Sequence, residues 1–274
     1  NGVIMPRSAL VDGDIIVYSC GFASDVREWH CPDGTIFSYA KEAKEYCDDN
    51  GLDKEELELK YTSSPLSHTL HNVKLVLNKI LKETDSKQLV IYLTGKTNFR
   101  NDVPSPLKYK GNRDKNHKPT QYKEIIQFLL ENYNTIITNG EEADDAMGIE
   151  QSSRPYGDTV ICTKDKDLDM IRGLHYNWTK NKEPYDISEE QAIKSFYIQL
   201  LTGDRVDNIQ GIRGIGNKKA SVLLDGIEEE EELLKVAVEQ YERAGLTKED
   251  LINNGRLLWI RRKNREMWTP NLNF

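Results

Sequence analysis

The chain has 274 residues, 38% of them hydrophobic, enough for one sizeable α/β body with an appended helical element and short for several independent domains. Four widely spaced cysteines, Cys20, Cys31, Cys47 and Cys162, form no C-x-x-C pair, so neither a disulfide framework nor a thiolate zinc site is expected, and a reducing cytoplasm fits. Asp12 and Asp14 interrupt the first hydrophobic stretch, which leaves no signal peptide or membrane span and predicts a soluble protein.

A net charge of −8 argues at face value against a polyanionic ligand. The average conceals segregation. From Lys96 to Lys123 there are eight Lys and Arg against two acids, Asp102 and Asp114, whereas acidic charge gathers in Glu228–Glu232 and in short clusters. Carboxylates collected for metal ions beside a separate basic surface suit a hydrolase of polyanions, although a solvated acidic protein with one basic loop carries the same charges.

The first β-branched run, Ala9 to Val11, leads into Asp12-Gly13-Asp14. A second run, Gln88 to Leu93, is followed by Thr94-Gly95-Lys96 and by a basic, proline-punctuated excursion. The third, Asn134 to Thr138, precedes Glu141, Glu142, Asp144 and Asp145, and the fourth, Asp158 to Cys162, precedes Asp165, Asp167 and Asp169. Runs alternating with helix-like stretches predict a largely parallel sheet covered by helices, whose strand ends line the ligand crevice. A helix is expected from Ser188 to Leu201, then a glycine-rich stretch from Gly203 to Ala220, then helices over about 230–244 and 247–263. There is no internal repeat.

Acids far apart in sequence thus arrive at neighbouring strand ends. Burying like charges together costs several kcal/mol each unless a cation compensates, and an all-oxygen donor set points to Mg²⁺ or Mn²⁺. Two such ions about 4 Å apart suit phosphodiester hydrolysis. The candidates are Asp12, Glu142, Asp144, Asp145, Asp165, Asp167, Asp204 and Asp207. Each group also has a plainer reading: Glu142, Asp144 and Asp145 as acids at a helix start, Asp165 and Asp167 as turn residues, Asp204 and Asp207 as helix-ending acids. The five histidines show no metal-ligand spacing. Arg256, Arg261, Arg262, Lys263 and Arg265 read equally as contacts to distal DNA or as a solvated helix face.

Five segments, Leu10-Val11-Asp12-Gly13-Asp14, Tyr109-Lys110-Gly111-Asn112-Arg113, Glu142-Ala143-Asp144-Asp145, Thr163-Lys164-Asp165-Lys166-Asp167 and Gly203-Asp204-Arg205-Val206-Asp207-Asn208-Ile209, come in the order found in 5′-nucleases. Over about residues 9–225 the chain resembles the 5′-nuclease (flap endonuclease) superfamily, most of all its podovirus-type bacteriophage 5′-to-3′ exonucleases. The resemblance implies a PIN-like α/β body over 1–195, with a helical arch at about 96–123. It places a helix-three-turn-helix element and C-terminal helices over 196–274. It assigns Asp12, Glu142, Asp144 and Asp145 to one metal and Asp165, Asp167, Asp204 and Asp207 to a second, with K⁺ held by carbonyls of the helix-three-turn-helix.

In the same reading Arg100, Lys110 and Arg113 act on the scissile phosphate. Lys108 and Tyr109 contact the strand, Tyr109 by stacking on an unpaired base. Backbone N–H groups near Gly214 and Gly216, with Lys218 and Lys219, meet duplex phosphates without reading sequence. One departure is Gly95, which stands where the family often has an Asp; the first metal is then held less tightly, or Asp14 compensates. The implied function is 5′-to-3′ degradation of duplex DNA by a monomer in the (host) cytoplasm, with flap and RNase H-like cleavage of an RNA–DNA hybrid as further activities. The rivals are a structure-specific flap endonuclease, a catalytically weak DNA-binding protein that keeps the fold, and a PIN-type ribonuclease, which would not need the Gly203–Ala220 block.

Overall fold

A computed structural model describes residues 6–112 and 117–274. In chain order the elements are β1 (Ser8–Asp12), α1 (Gly13–Ser24), β2 (Asp25–His30), β3 (Ile36–Phe37), α2 (Ala40–Asn50), β4 (Glu58–Ser63), α3 (Leu66–Glu83) and β5 (Gln88–Leu93). There follow α4 (Tyr122–Asn132), β6 (Thr135–Ile137), α5 (Ala143–Ser153), β7 (Thr159–Cys162), β8 (Gly173–Tyr176), β9 (Tyr185–Ile187) and α6 (Glu189–Thr202). The last are the short pair β10 (Gly203–Asp204) and β11 (Ile209–Gln210), then α7 (Asn217–Leu223), α8 (Glu230–Arg243) and α9 (Lys248–Leu258).

The described chain divides into two compact units. The larger comprises residues 1–14, 79–116 and 133–274. It holds a six-stranded sheet in the order β6-β5-β1-β7-β8-β9, parallel except for the antiparallel β8–β9 pair. All four residues of β7 are buried, as are Ala9 to Asp12 of β1, so the central strands read as continuous apolar runs instead of alternating ones. Ala143 and Met147 of α5 pack on this sheet against Leu10, Tyr92 and Ile161. In the same unit α6, α8 and α9 enclose a core of Phe196, Leu200, Leu233, Tyr241 and Leu257, where Phe196 meets Trp259 and Trp268 edge-on at 4.9 and 5.1 Å.

Gly148, inside α5, has a packing reason: a Cβ there would lie 2.5 Å from the Arg261 carbonyl, so the helix and the segment after α9 approach backbone to backbone. The expected helix over 247–263 therefore stops at Leu258, and residues 259–268 run irregularly across α5. The described part of the basic excursion holds one 3₁₀ turn, Phe99–Asp102, in otherwise irregular backbone.

The smaller unit, residues 15–78 and 117–132, contains an antiparallel sheet in the order β3-β2-β4. It packs Trp29 and Phe37 with Cys31, Ala43 and Cys47, the last two on α2. Among the described residues no helix is long and apolar enough to cross a membrane.

Candidate active site

Because β1, β5, β6 and β7 run parallel, their carboxyl ends lie at one edge of the sheet. Asp12 ends β1 and is buried; its Oδ2 accepts from the Thr163 hydroxyl at 2.8 Å, just past the end of β7. Asp14, in the first turn of α1, accepts from the Thr94 N–H at 3.1 Å, and the Thr94 hydroxyl accepts from the Ala143 N–H at 3.0 Å. Thr94 thereby ties the start of α1 to the start of α5. From the other side, the β10–β11 connection brings Asp204 and Asp207 to the cleft, with Asp204 accepting from the Val206 N–H at 2.8 Å.

An open cleft of about 800 Å³ collects Asp144, Asp165, Asp167, Asp204 and Asp207, together with Lys110 and, at its far side, Gly216 and Asn217. Its carboxylates are electrostatically unhappy. Burial, then the charges of Asp12, Asp165 and Glu142, holds the Asp144 carboxyl well above its usual range. Burial also raises Asp165, opposed by the Asp167 N–H it accepts from and assisted by Asp207 and Asp204. Asp167 is pushed up to about 6, by burial first and by Asp165 next, and Asp14 is raised chiefly by burial. Among the described residues no three acidic side chains converge into a ready-made ligand triad. A half-buried, mutually repelling, oxygen-only set nevertheless has the donor chemistry of a hard divalent cation, and such a charge would oppose each of these shifts.

Lys110 is a positive charge inside this group that bonds its carboxylates directly. Its ammonium bonds Glu142 and lies 3.6 Å from Asp207. Its backbone is left-handed (φ 54°) and its N–H donates to the Asp207 carbonyl at 2.8 Å. Asn208, also left-handed (φ 61°), donates from its side chain to the Lys108 carbonyl at 2.8 Å, and Asn112 donates to the Arg205 carbonyl at 2.7 Å. These bonds tie the excursion to the Asp204–Asp207 loop and hold two residues in a costly backbone region next to the carboxylates.

Three of the expected site residues are enclosed by protein groups. Asp145 was expected as a metal ligand, but it is 0% exposed, and protein donors surround both its oxygens: Arg100 at 2.6 and 2.9 Å, the Glu142 N–H at 3.1 Å and the Arg261 N–H at 3.1 Å. Arg100 was expected on the phosphate, yet it is 3% exposed and spends its remaining donors on the Leu257 and Trp259 carbonyls. Tyr109, expected to stack on a base, is 7% exposed; its ring joins the helical core and its hydroxyl sits 3.1 Å from Glu142 and 3.0 Å from Asp207.

Gly95 does not face the carboxylates either: a Cβ there would stand 1.9 Å from the Thr138 carbonyl oxygen, and the nearby carboxylate is Asp14. Lys108, Lys218 and Lys219 are exposed, and Gly214 (φ 82°) and Gly216 have open space where a Cβ would be. Arg113 lies outside the described residues.

Sequence reasoning missed Thr94, Asn98 (which donates to Glu142 at 2.8 Å) and the deeper roles of Glu141 and Arg261, whose side chains pair at 3.0 Å. A threonine directly after each of two strand ends was the available signal for the first of these; long-range pairs left none.

No family model matches the chain. The exonuclease of Escherichia phage T7 is 28% identical over 208 residues, covering 64% of this chain and 69% of that protein. DNA polymerase I of Bacillus subtilis is 31% identical over 192 residues, or 62% of this chain, but the matched part is only 21% of the polymerase. The fold is shared with the bacteriophage T5 flap endonuclease, solved in complex with DNA and metal ions, at a TM-score of 0.60 and 15% identity over 92% of this chain and 88% of that one. With its ordered acidic motifs at the edge of a largely parallel sheet, the chain belongs to the 5′-nuclease (flap endonuclease) superfamily of phosphodiester hydrolases.

Proposed function

We propose that the chain is a divalent-metal-dependent nuclease that degrades duplex DNA from 5′ ends. The observation that carries this reading is the cluster of half-buried, repelling carboxylates lining one cleft with Lys110 among them, beside a basic excursion and a lysine-bearing helix start. Asp12, Asp14, Glu142 and Asp144 are the side chains that would hold one ion, and Asp165, Asp167, Asp204 and Asp207 the other. Mg²⁺ or Mn²⁺ supplies there an activated water and neutralisation of the phosphate.

The chain's own residues do the rest. Thr163 and Thr94 orient Asp12 and Asp14, and Asn98 and Tyr109 orient Glu142. Lys110, already within reach of two carboxylates, presents its charge to the scissile phosphate. The described part of the basic excursion, residues 96–112, serves as the arch over the 5′ strand, with Lys108 on the strand's backbone. The turn from Gly203 through α7 is the helix-three-turn-helix, whose Gly214 and Gly216 amides and whose Lys218 and Lys219 meet the duplex backbone, K⁺ being held by the turn's carbonyls.

Structure-specific flap cleavage is the second reading, favoured by the shared fold with the T5 flap endonuclease. A time course with 5′-labelled and 3′-labelled duplexes and flaps, with and without Mg²⁺, separates the two. Short products from the 5′ label on blunt duplex support the exonuclease, release of an intact flap supports the endonuclease, and Mg²⁺-independent or absent cleavage overturns both.

A further inference from the structure

We propose that Arg261, which lines no part of the cleft, is a positioning residue that sets how tightly the carboxylates at the start of α5 take a divalent ion. The inference rests on the metal-dependent reading above. Glu142 and Asp144 occupy the first turn of α5, and on the cleft side they meet Lys110, Asn98 and other acids. Like charges gathered at that turn repel one another, which favours any displacement that separates them. What opposes such displacement lies behind the turn.

Arg261 holds the turn at two points. Its Nη1 donates to the Glu141 carboxylate at 3.0 Å, and its backbone N–H donates to Asp145 Oδ1 at 3.1 Å. Asp145 Oδ2 in turn accepts from the Glu142 N–H at 3.1 Å, so the arginine is one residue removed from Glu142 by either route. Arg261 is itself fixed: it is 7% exposed, its Nε donates to the Glu266 carbonyl at 3.0 Å, and its guanidinium lies 3.8 Å over the Phe99 ring, which Arg100 also approaches at 4.6 Å. The missing side chain of Gly148 lets this segment reach the helix backbone. A rigid support of this kind matters because Mg²⁺ demands near-octahedral geometry, so a small tilt of the α5 turn costs affinity.

The experiment compares Arg261→Gln, Arg261→Lys and Glu141→Gln in the full chain. Mn²⁺ binding is measured by calorimetry without DNA, followed by Mg²⁺ activation of cleavage, KM for duplex and thermal melting. Arg261→Gln is expected to weaken Mn²⁺ binding about tenfold and to raise the half-activating Mg²⁺ by a similar factor, with KM unchanged. Arg261→Lys, which can still reach Glu141, recovers much of the loss. Glu141→Gln reproduces it, and the double variant is no worse than either single one.

If Arg261→Gln does not fold, Glu141→Gln carries the comparison alone. Mn²⁺ binding within twofold of the parent overturns the proposal, as does a loss that follows melting temperature across all variants. Should the parent fail to cut DNA, the functional reading fails while the calorimetric comparison still decides the role of Arg261.

Discussion

Arg100 and Asp145 meet as a two-point ion pair, with nitrogen–oxygen distances of 2.6 and 2.9 Å and almost no exposure on either side. Burial pushes the Asp145 carboxyl up, but the Arg100 charge and hydrogen bonds outweigh it, and the group sits below the usual carboxylate range. A carboxyl depressed in the folded state stabilises the protein above its unfolded pKa of 3.8 and loses that contribution as pH falls through the folded value. Asp145→Asn leaves Arg100 without its charge partner and is expected to cost about 3–5 kcal/mol at neutral pH, with the cost shrinking in acid. Urea denaturation at pH 7 and pH 3 tests this; a variant as stable as the parent but unable to cut would return Asp145 to the list of ligands.

At Gly95 the obstacle is the Thr138 carbonyl, 1.9 Å from where a Cβ would stand. Gly95→Ala and Gly95→Asp are therefore both expected to destabilise the fold by about 1–3 kcal/mol without moving the Mg²⁺ activation midpoint. Asp14→Asn should raise that midpoint in folded protein. A midpoint lowered by Gly95→Asp alone would show that a carboxylate at this position does reach the ion.

The metal-free cluster titrates in the opposite sense to Asp145. Asp167 is raised to about 6 by burial and then by Asp165, and Asp144 is raised by burial and its acidic neighbours. Raised carboxyls contribute stability that is present below pH 3.8 and is lost as pH climbs through about 6 for Asp167. Divalent ions should abolish this loss and displace protons on binding, more at pH 6 than at pH 8. Calorimetry in two buffers of different ionisation enthalpy reads the proton count directly; equal release at both pH values would contradict it.

Lys110 and Lys218 should fail differently. Lys110→Met removes a charge from among the acids and is expected to slow single-turnover cleavage by about 10²–10³ with modest change in DNA affinity. Lys218→Ala, on an exposed helix start, should weaken duplex binding and reduce the salt slope by about one while leaving the chemical step intact. Rate and affinity measured across salt concentrations distinguish them, and identical losses in both variants would dissolve the division.

The strands β1 and β7 were legible because their central places in the sheet bury nearly every residue and keep apolar runs, and β5 and β6 because β-branched residues gather in them. By contrast β2 (DVREWH) and β4 (ELKYTS) carry charges on half-exposed faces, and the short β8 and β9 include His175 and Asp186, so no pattern announced them. Motif acids at strand ends could be read one by one. What could not be read was the enclosure of Asp145, whose partners Arg100 and Arg261 lie 45 and 116 residues away. Arg261, read equally as a contact to distal DNA or as part of a solvated helix face, is 7% exposed and pairs with Glu141, a contact 120 residues away in sequence.

The place of β1 also has a consequence for how the protein is made. Among the described strands it comes first in chain order, yet it lies in the middle of the sheet, and its neighbours β5 and β7 begin at residues 88 and 159. Contacts of such sequence separation form late and slowly. The turn bearing Glu142 waits longer still, because its anchor includes the Arg261 N–H. At roughly 5–20 residues per second of translation, Asp12 precedes Arg261 by roughly 12–50 seconds. During that interval the growing chain carries its cleft acids without the Arg261 anchor, so the proposed metal site is complete only once Arg261 has been added.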